Sequence, residues 1–328
     1  SFGQAALVLP YLEKEKLAGL ELELQAFTYE DEPATWGGAF REAIEALGLA
    51  QAKLAAEPSR LRLLELQFIQ AAAPNAAIID GSPIVEGLRL KKDTQELAKM
   101  REAAVIAQKA LVETLKHIHQ GMSEKQIAAE LVIALYQAGS DIELPFEPIV
   151  SSGPNTANPH AAPSERLLQE GDLLLFDWGA GKDGYFSDIT RTFTVGEVEP
   201  ELQHVSEVVL AANSKGREIA APGIPAGAVD KAVRAVIESA GYGEYFTHRT
   251  GHGLGMEAHE APYIFGSNSQ LLAPGMVFTI EPGIYLPGRG GVRIEDDVFI
   301  TENGVHSLTD LPRAVVPYNT PFDYSMEN

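Results

Sequence analysis

The chain has 328 residues, enough for one large domain and a smaller one, with 45% hydrophobic and 22% charged residues as in ordinary globular proteins. Its 46 acidic against 25 basic residues leave a net charge of −21, which argues against nucleic acid or an anionic membrane as the main partner, since phosphate binding needs clustered Lys and Arg. Without a single cysteine, disulfides, thiolate catalysis and sulfur-ligated zinc are excluded, in keeping with a cytoplasmic protein, and no apolar stretch approaches the roughly 20 residues that span a bilayer.

The first residue is Ser1 rather than Met, and the chain opens almost directly into a strand-like run, Ala5–Pro10, followed by the exposed segment Tyr11-Leu12-Glu13-Lys14-Glu15. Helical spacing over residues 36–49 puts Phe40, Ile44 and Leu47 on one face. A second helix is predicted over 61–73, stopped by Pro74-Asn75, and a strand over 76–80 that ends at Gly81-Ser82-Pro83. Together these predict a small α/β domain over residues 1–83, lacking its first strand.

Residues 83–92 read as a linker, and the second domain is expected over 84–328. Asp93 with Glu96 forms a capping box, which places the start of a long helix. Its apolar face is Leu97, Met100, Ala104, Leu111, Leu115 and Ile118, and Gly121 is the expected stop. Ser123 with Gln126 caps another helix running through Tyr136. From Ile149 onward the sequence is β-rich, broken by helical stretches over 202–220 and 229–240. Two helices followed by strands, twice over, suggest a duplicated α/β half, although no clear sequence repeat is present.

Five residues in this second domain form a ligand set for paired divalent metals: Asp177, Asp188, His252, Glu281 and Glu295. Asp177 follows the apolar run Leu173-Leu174-Leu175-Phe176, and Asp188 follows Gly184-Tyr185-Phe186-Ser187. Between them, Gly179-Ala180-Gly181-Lys182-Asp183-Gly184 is turn-rich, so two antiparallel strands would bring both aspartates to one face. Glu281 and Glu295 likewise flank a hairpin-like return containing Pro282-Gly283 and Pro287-Gly288. His252 lies between glycines, a sign of close backbone approach. Four carboxylates balance the charge of two divalent cations. Hard oxygen with one imidazole suits Mn²⁺, with Co²⁺, Fe²⁺ and Zn²⁺ as alternatives. Two such ions, roughly 3.5–4 Å apart, can share a hydroxide and polarise a carbonyl.

The segments Leu175-Phe176-Asp177-Trp178-Gly179, Ser187-Asp188-Ile189-Thr190-Arg191-Thr192, His248-Arg249-Thr250-Gly251-His252-Gly253-Leu254-Gly255, His259-Glu260, Thr279-Ile280-Glu281-Pro282-Gly283 and Val292-Arg293-Ile294-Glu295-Asp296 resemble the pita-bread metallopeptidases. That family includes prolidases, Xaa-Pro aminopeptidases and methionine aminopeptidases. The resemblance runs from about residue 85 to the end, and more loosely through the small N-terminal domain typical of the proline-directed branch. It implies an α+β pita-bread catalytic domain preceded by a small α/β domain. It also implies hydrolysis of Xaa-Pro bonds by a metal-bridging hydroxide.

In that family's terms Asp188 and Glu295 bridge the metals, Asp177 completes one ion's coordination, and His252 and Glu281 complete the other's. Glu281 is further implied to shuttle the proton to the leaving nitrogen. His160 and His259 match the outer histidines that hold the substrate carbonyl and stabilise the tetrahedral intermediate. His248 and Arg293 match substrate-pocket or supporting groups; for Arg293, two residues before Glu295, an ion pair to a carboxylate is the competing role. His117, His119, His204 and His306 carry no such signal. The implied substrate is a proline-containing di- or oligopeptide, and the implied assembly is a homodimer. Two branches fit, an Xaa-Pro dipeptidase and an Xaa-Pro aminopeptidase acting on longer peptides, and the short chain favours the dipeptidase. A non-catalytic pita-bread binding protein would typically have lost metal ligands, and all five are present.

Overall fold

The computed structural model describes residues 3–20 and 22–321, which fall into two units, Ser1–Leu88 and Arg89–Asn328. In the first unit, strand Ala5–Pro10 runs parallel to Leu24–Tyr29, and Lys53–Ala56 runs parallel to Ala77–Asp80. Helices Pro33–Ala46 and Leu63–Ala72 meet through Phe40 and Phe68, whose ring centroids are 5.4 Å apart. Strands Leu24–Tyr29 and Lys53–Ala56 were not foreseen, being short and without a fully buried face. The segment expected to be an exposed stretch after Pro10 is a 3₁₀ helix, Tyr11–Gly19.

The linker expected over 83–92 is corrected by the structure, because Ser82–Arg89 is an α-helix. Pro83 occupies its first turn, where the missing N–H would be unpaired in any case and the fixed φ already suits a helix. The division drawn at 83/84 therefore falls inside a helix.

In the second unit the two capping boxes form. Asp93 accepts from the amides of Gln95 at 2.7 Å and Glu96 at 2.9 Å, while Glu96 accepts from the Asp93 amide at 2.7 Å. Ser123 and Gln126 make the same reciprocal pair. These caps start helices Thr94–Leu115 and Glu124–Gln137 by satisfying amides that have no partner within the helix. The long helix stops at Leu115, before the expected Gly121. Both helices pack on an antiparallel sheet of Ile149–Ser152, Leu173–Trp178 and Ile189–Thr194, through Leu111, Ile127, Leu131, Leu174, Phe176 and Trp178. The Trp178 indole donates to Ala107 O at 2.9 Å, so its burial leaves no polar group unmet.

The second half repeats the plan. Helices Pro200–Ile219 and Ala226–Ser239 pack on each other through Val209, Val233 and Ile237. They back a five-stranded antiparallel sheet in the order Glu260–Ile264, Gly251–Gly253, Val277–Ile280, Asp296–Thr301 and Gly304–Ser307. Hairpin Gly283–Leu286 with Gly290–Arg293 is a separate two-stranded sheet, buried against the helix Pro200–Ile219 through Ile284, Leu286 and Val292. Helix pair and sheet, twice over, form the α+β pita-bread catalytic domain that follows the small α/β unit. Among the described residues no helix is long and apolar enough to cross a membrane.

Candidate metal centre

Strand register brings the acids together from three places. Asp177 pairs across the ladder with Thr190. Asp188, two residues before Thr190, lies on the same face because side chains alternate along a strand. Val277–Ile280 pairs with Asp296–Thr301 so that Ile280 faces Asp296. The residues next outward on each strand are Glu281 and Glu295, so one register positions both glutamates. His252 is the centre of Gly251–Gly253, which sits close against its neighbours. A Cβ on Gly251 would overlap Thr279 O, and one on Gly253 would overlap Ala261 O. Only glycine lets this strand approach so closely.

All five residues line one cavity of about 620 Å³. Asp188, His252 and Glu295 are 4%, 3% and 2% exposed, and each offers a ligand atom within 4.8 Å of the other two. His252 Nδ1 donates to Gly253 O at 3.1 Å, and burial keeps this ring neutral. Its Nε2 lone pair therefore points at Glu281 Oε1, 3.4 Å away, and Asp188 Oδ2, 3.7 Å away. A lone pair facing two carboxylates is repulsive unless a cation lies between them. The buried Oδ1 atoms of Asp177 and Asp188 have no hydrogen-bond partner. Burial, then Glu295 and Asp177, push the Asp188 carboxyl well above the usual range; burial, then Glu281 and Asp177, do the same to Glu295. Unmet buried oxygens, crowded acids and an imidazole with its second nitrogen already fixed are what a two-metal centre requires of its protein.

The surrounding groups are organised by Arg293. Its Nη2 meets Asp177 Oδ2 at 2.5 Å, its Nη1 donates to Tyr285 Oη at 2.9 Å and Pro159 O at 3.3 Å, and its Nε donates to Thr190 Oγ1 at 3.0 Å. Thr190 in turn donates to Glu295 Oε2 at 2.6 Å. Every nitrogen of Arg293 thus has a protein partner, and the ion pair weighed for it in the sequence is made to Asp177. His248 lines the cavity with both ring nitrogens committed, Nδ1 to Arg249 O and Nε2 to Tyr285 Oη, each at 2.8 Å. Burial, then Arg293, lower its pKa to about 4.

His160 and His259 are exposed and both line the cavity. The His259 ring lies 4.0 Å from the His252 ring, centroid to centroid. Partial burial, then Arg249, lower its pKa, which favours a neutral imidazole able to donate one N–H. Sequence reasoning did not single out Thr190, Tyr285, Arg249, or the wall formed by Phe146, Ile149 and Pro159. Thr190 and Arg249 lay within the quoted motifs without a recognisable role, and the wall residues carry no motif at all.

Comparison with known proteins agrees with this geometry. The sequence matches the model of metallopeptidase family M24 over residues 98–302. It is 40% identical over 233 residues to an Xaa-Pro dipeptidase of Pyrococcus furiosus, an alignment covering 71% of this chain and 67% of that protein. The structure superposes on a dipeptidase from Pyrococcus horikoshii with a TM-score of 0.88 at 38% identity, covering 95% of this chain and 85% of that one. An X-Pro aminopeptidase from Thermotoga maritima gives a TM-score of 0.84 at 33% identity, covering 96% and 88%.

Proposed function

The chain belongs to metallopeptidase family M24, and on that premise we propose that it is an Xaa-Pro dipeptidase whose metal ligands are Asp177, Asp188, His252, Glu281 and Glu295. The observation that carries the reading is that this acid cluster lines the same cavity as the apolar residues Phe146, Ile149 and Pro159. Proline lacks an amide N–H and presents a compact apolar ring, so a site for it needs an apolar wall more than backbone hydrogen bonds.

Asp188 and Glu295 would serve both metals, Asp177 would complete the set for one, and His252 and Glu281 would complete it for the other. When bound, the pair supplies Lewis acidity and an activated water for attack on the scissile carbonyl. The remaining work falls to the protein. In the metal-free chain burial pushes Glu281 up to about 7, against the pull of Arg293, and a carboxylate held beside the reacting atoms can carry a proton between them. It takes the proton released on attack and passes it to the prolyl nitrogen, which must leave as a secondary amine. His160 and His259, at the cavity wall, donate to the carbonyl oxygen as it gains charge. Arg293 and His248 act through others: Arg293 fixes Asp177 and Thr190, and His248 anchors Tyr285 and the Arg249 backbone.

Four carboxylates with one imidazole support Mn²⁺ as the working ion ahead of Co²⁺, Fe²⁺ or Zn²⁺. A cytoplasmic homodimer acting on proline-containing peptides completes the proposal, supported by the absence of cysteine and by the family resemblance. The deciding experiment compares hydrolysis of Ala-Pro and Ala-Pro-Ala by manganese-loaded protein. Faster cleavage of the dipeptide is expected; preference for the tripeptide would make the enzyme an Xaa-Pro aminopeptidase instead.

A further inference from the structure

The cavity has two guanidinium groups in its lining, Arg249 and Arg293. They are in opposite states. Arg293 is 3% exposed, with every nitrogen bonded to a protein acceptor. Among the described residues the Arg249 guanidinium has neither a carboxylate nor a hydrogen-bond acceptor, and its one described contact is the face of Tyr263, 4.8 Å from the guanidinium carbon to the ring centroid.

Everything around that side chain is fixed. The Arg249 carbonyl is held by His248 Nδ1 at 2.8 Å, and the His248 carbonyl is held by Arg234 Nη2. Asp230 Oδ1 accepts from the Thr250 amide at 3.1 Å and the Thr250 hydroxyl at 2.8 Å. Asp230 is 1% exposed and is itself bound by Arg234 Nε at 2.9 Å. Tyr263, which supports the guanidinium, is the cross-strand partner of His252. The geometry therefore sets a planar cation at a defined place relative to a metal ligand and leaves its donors free. Its charge lowers the pKa values of His259 and His252 in the same direction as burial, and lowers that of Glu281 against burial.

We propose that Arg249, braced on Tyr263, recognises the free α-carboxylate of the substrate's C-terminal proline and thereby restricts the enzyme to dipeptides. This rests on the dipeptidase reading and assigns its specificity to one residue. A carboxylate entering this cavity is best held by a charge-assisted partner, and a forked guanidinium offers two parallel N–H donors to it. Arg293 cannot serve without abandoning Asp177.

The test compares Ala-Pro with Ala-prolinamide, which differ only in that carboxylate, using metal-loaded wild type, Arg249→Met and Arg249→Lys. The ratio of kcat/KM for Ala-Pro over Ala-prolinamide is expected to fall about 10- to 100-fold in Arg249→Met, mainly through KM. Arg249→Lys should restore part of it, since charge is retained and the fork is lost. A wild-type preference for Ala-Pro that survives in Arg249→Met would overturn the Arg249 assignment and leave the dipeptidase reading standing. A wild type with no preference for the free carboxylate would overturn both. An equal fall for both substrates, carried by kcat, would overturn the assignment by placing Arg249 at the scissile bond.

Discussion

Glu295 and Asp296 are adjacent in sequence and both are buried, at 2% and 0% exposure, yet their charges are met in opposite ways. Asp296 sits in a clasp of cations. Its Oδ1 accepts from Arg191 at 2.8 Å and Thr309 at 3.0 Å, its Oδ2 accepts from Arg313 at 2.7 Å and Asn213 at 3.1 Å, and Arg217 lies 3.8 Å away. Burial alone would push its carboxyl up, but Arg191 and Arg313 outweigh burial and hold it down to about 2. Glu295, one residue earlier and facing the other way, has among the described residues only the Thr190 hydroxyl on its carboxylate, with three other acids around it. One acid carries its countercharge in the chain. The other leaves it to be supplied from outside; among the described residues Arg293 is the one arginine or lysine in an ion pair with that cluster, through Asp177.

The sharpest way to break this contrast is to remove a shared ligand. Asp188→Ala is expected to abolish paired metal binding and to lower kcat/KM by on the order of 10³-fold or more, because a group proposed to serve both ions would be lost from both at once. Metal content by elemental analysis, alongside peptidase activity before and after chelation, reads both. Full activity in this variant would remove the bridging assignment.

Asp296→Asn probes the other side. It leaves the buried Arg191 and the half-buried Arg313 around a neutral amide, and should cost about 3–5 kcal/mol of stability. The loss should be the same in chelated and metal-loaded protein, since the clasp does not involve the ions. Denaturant unfolding measures it, and a loss confined to the loaded form would mean that Asp296 acts through the metal centre.

How much of this was legible in the sequence follows from the range of each interaction. The capping boxes at Asp93 and Ser123 act over three residues, so they could be read directly and located their helices. The four acids and His252 were legible because each sits in or at the end of a strand-like run close to a turn or a glycine. The Thr190 hydroxyl joining Glu295 to Arg293, and Arg191 beside Asp296, depend on partners about a hundred residues away. Nothing local marks them. Pro83 misled in the other direction, since proline in a first helical turn looks like proline in a linker until the helix is seen.

His259 separates the metal cluster from the chemistry above it. His259→Ala is expected to reduce turnover by about 100-fold, the scale for losing one donor to a developing oxyanion. Metal content should stay at the wild-type level. Parallel loss of metal and activity would instead make His259 a ligand.

The smallest effect is also the most direct test of missing countercharge, and it is read in metal-free protein. The carboxyls of Asp188 and Glu295 are raised in the folded state by burial and by each other's neighbours, and Glu281 is raised to about 7. A raised carboxyl pKa means that the folded chain binds more protons than the unfolded one above about pH 4. Stability of the chelated protein should therefore fall as pH rises from about 4 toward 7, with no contribution below that window, where both states are protonated. Asp188→Asn removes one of these charges while keeping its shape. In chelated protein it should raise Tm by a few degrees at neutral pH and not at pH 4, as followed by thermal unfolding across that range. With metal present the order should invert, because binding stabilises only the chain that retains its bridge. A chelated Asp188→Asn protein less stable than wild type at neutral pH would mean that this aspartate is satisfied within the fold, as Asp296 is.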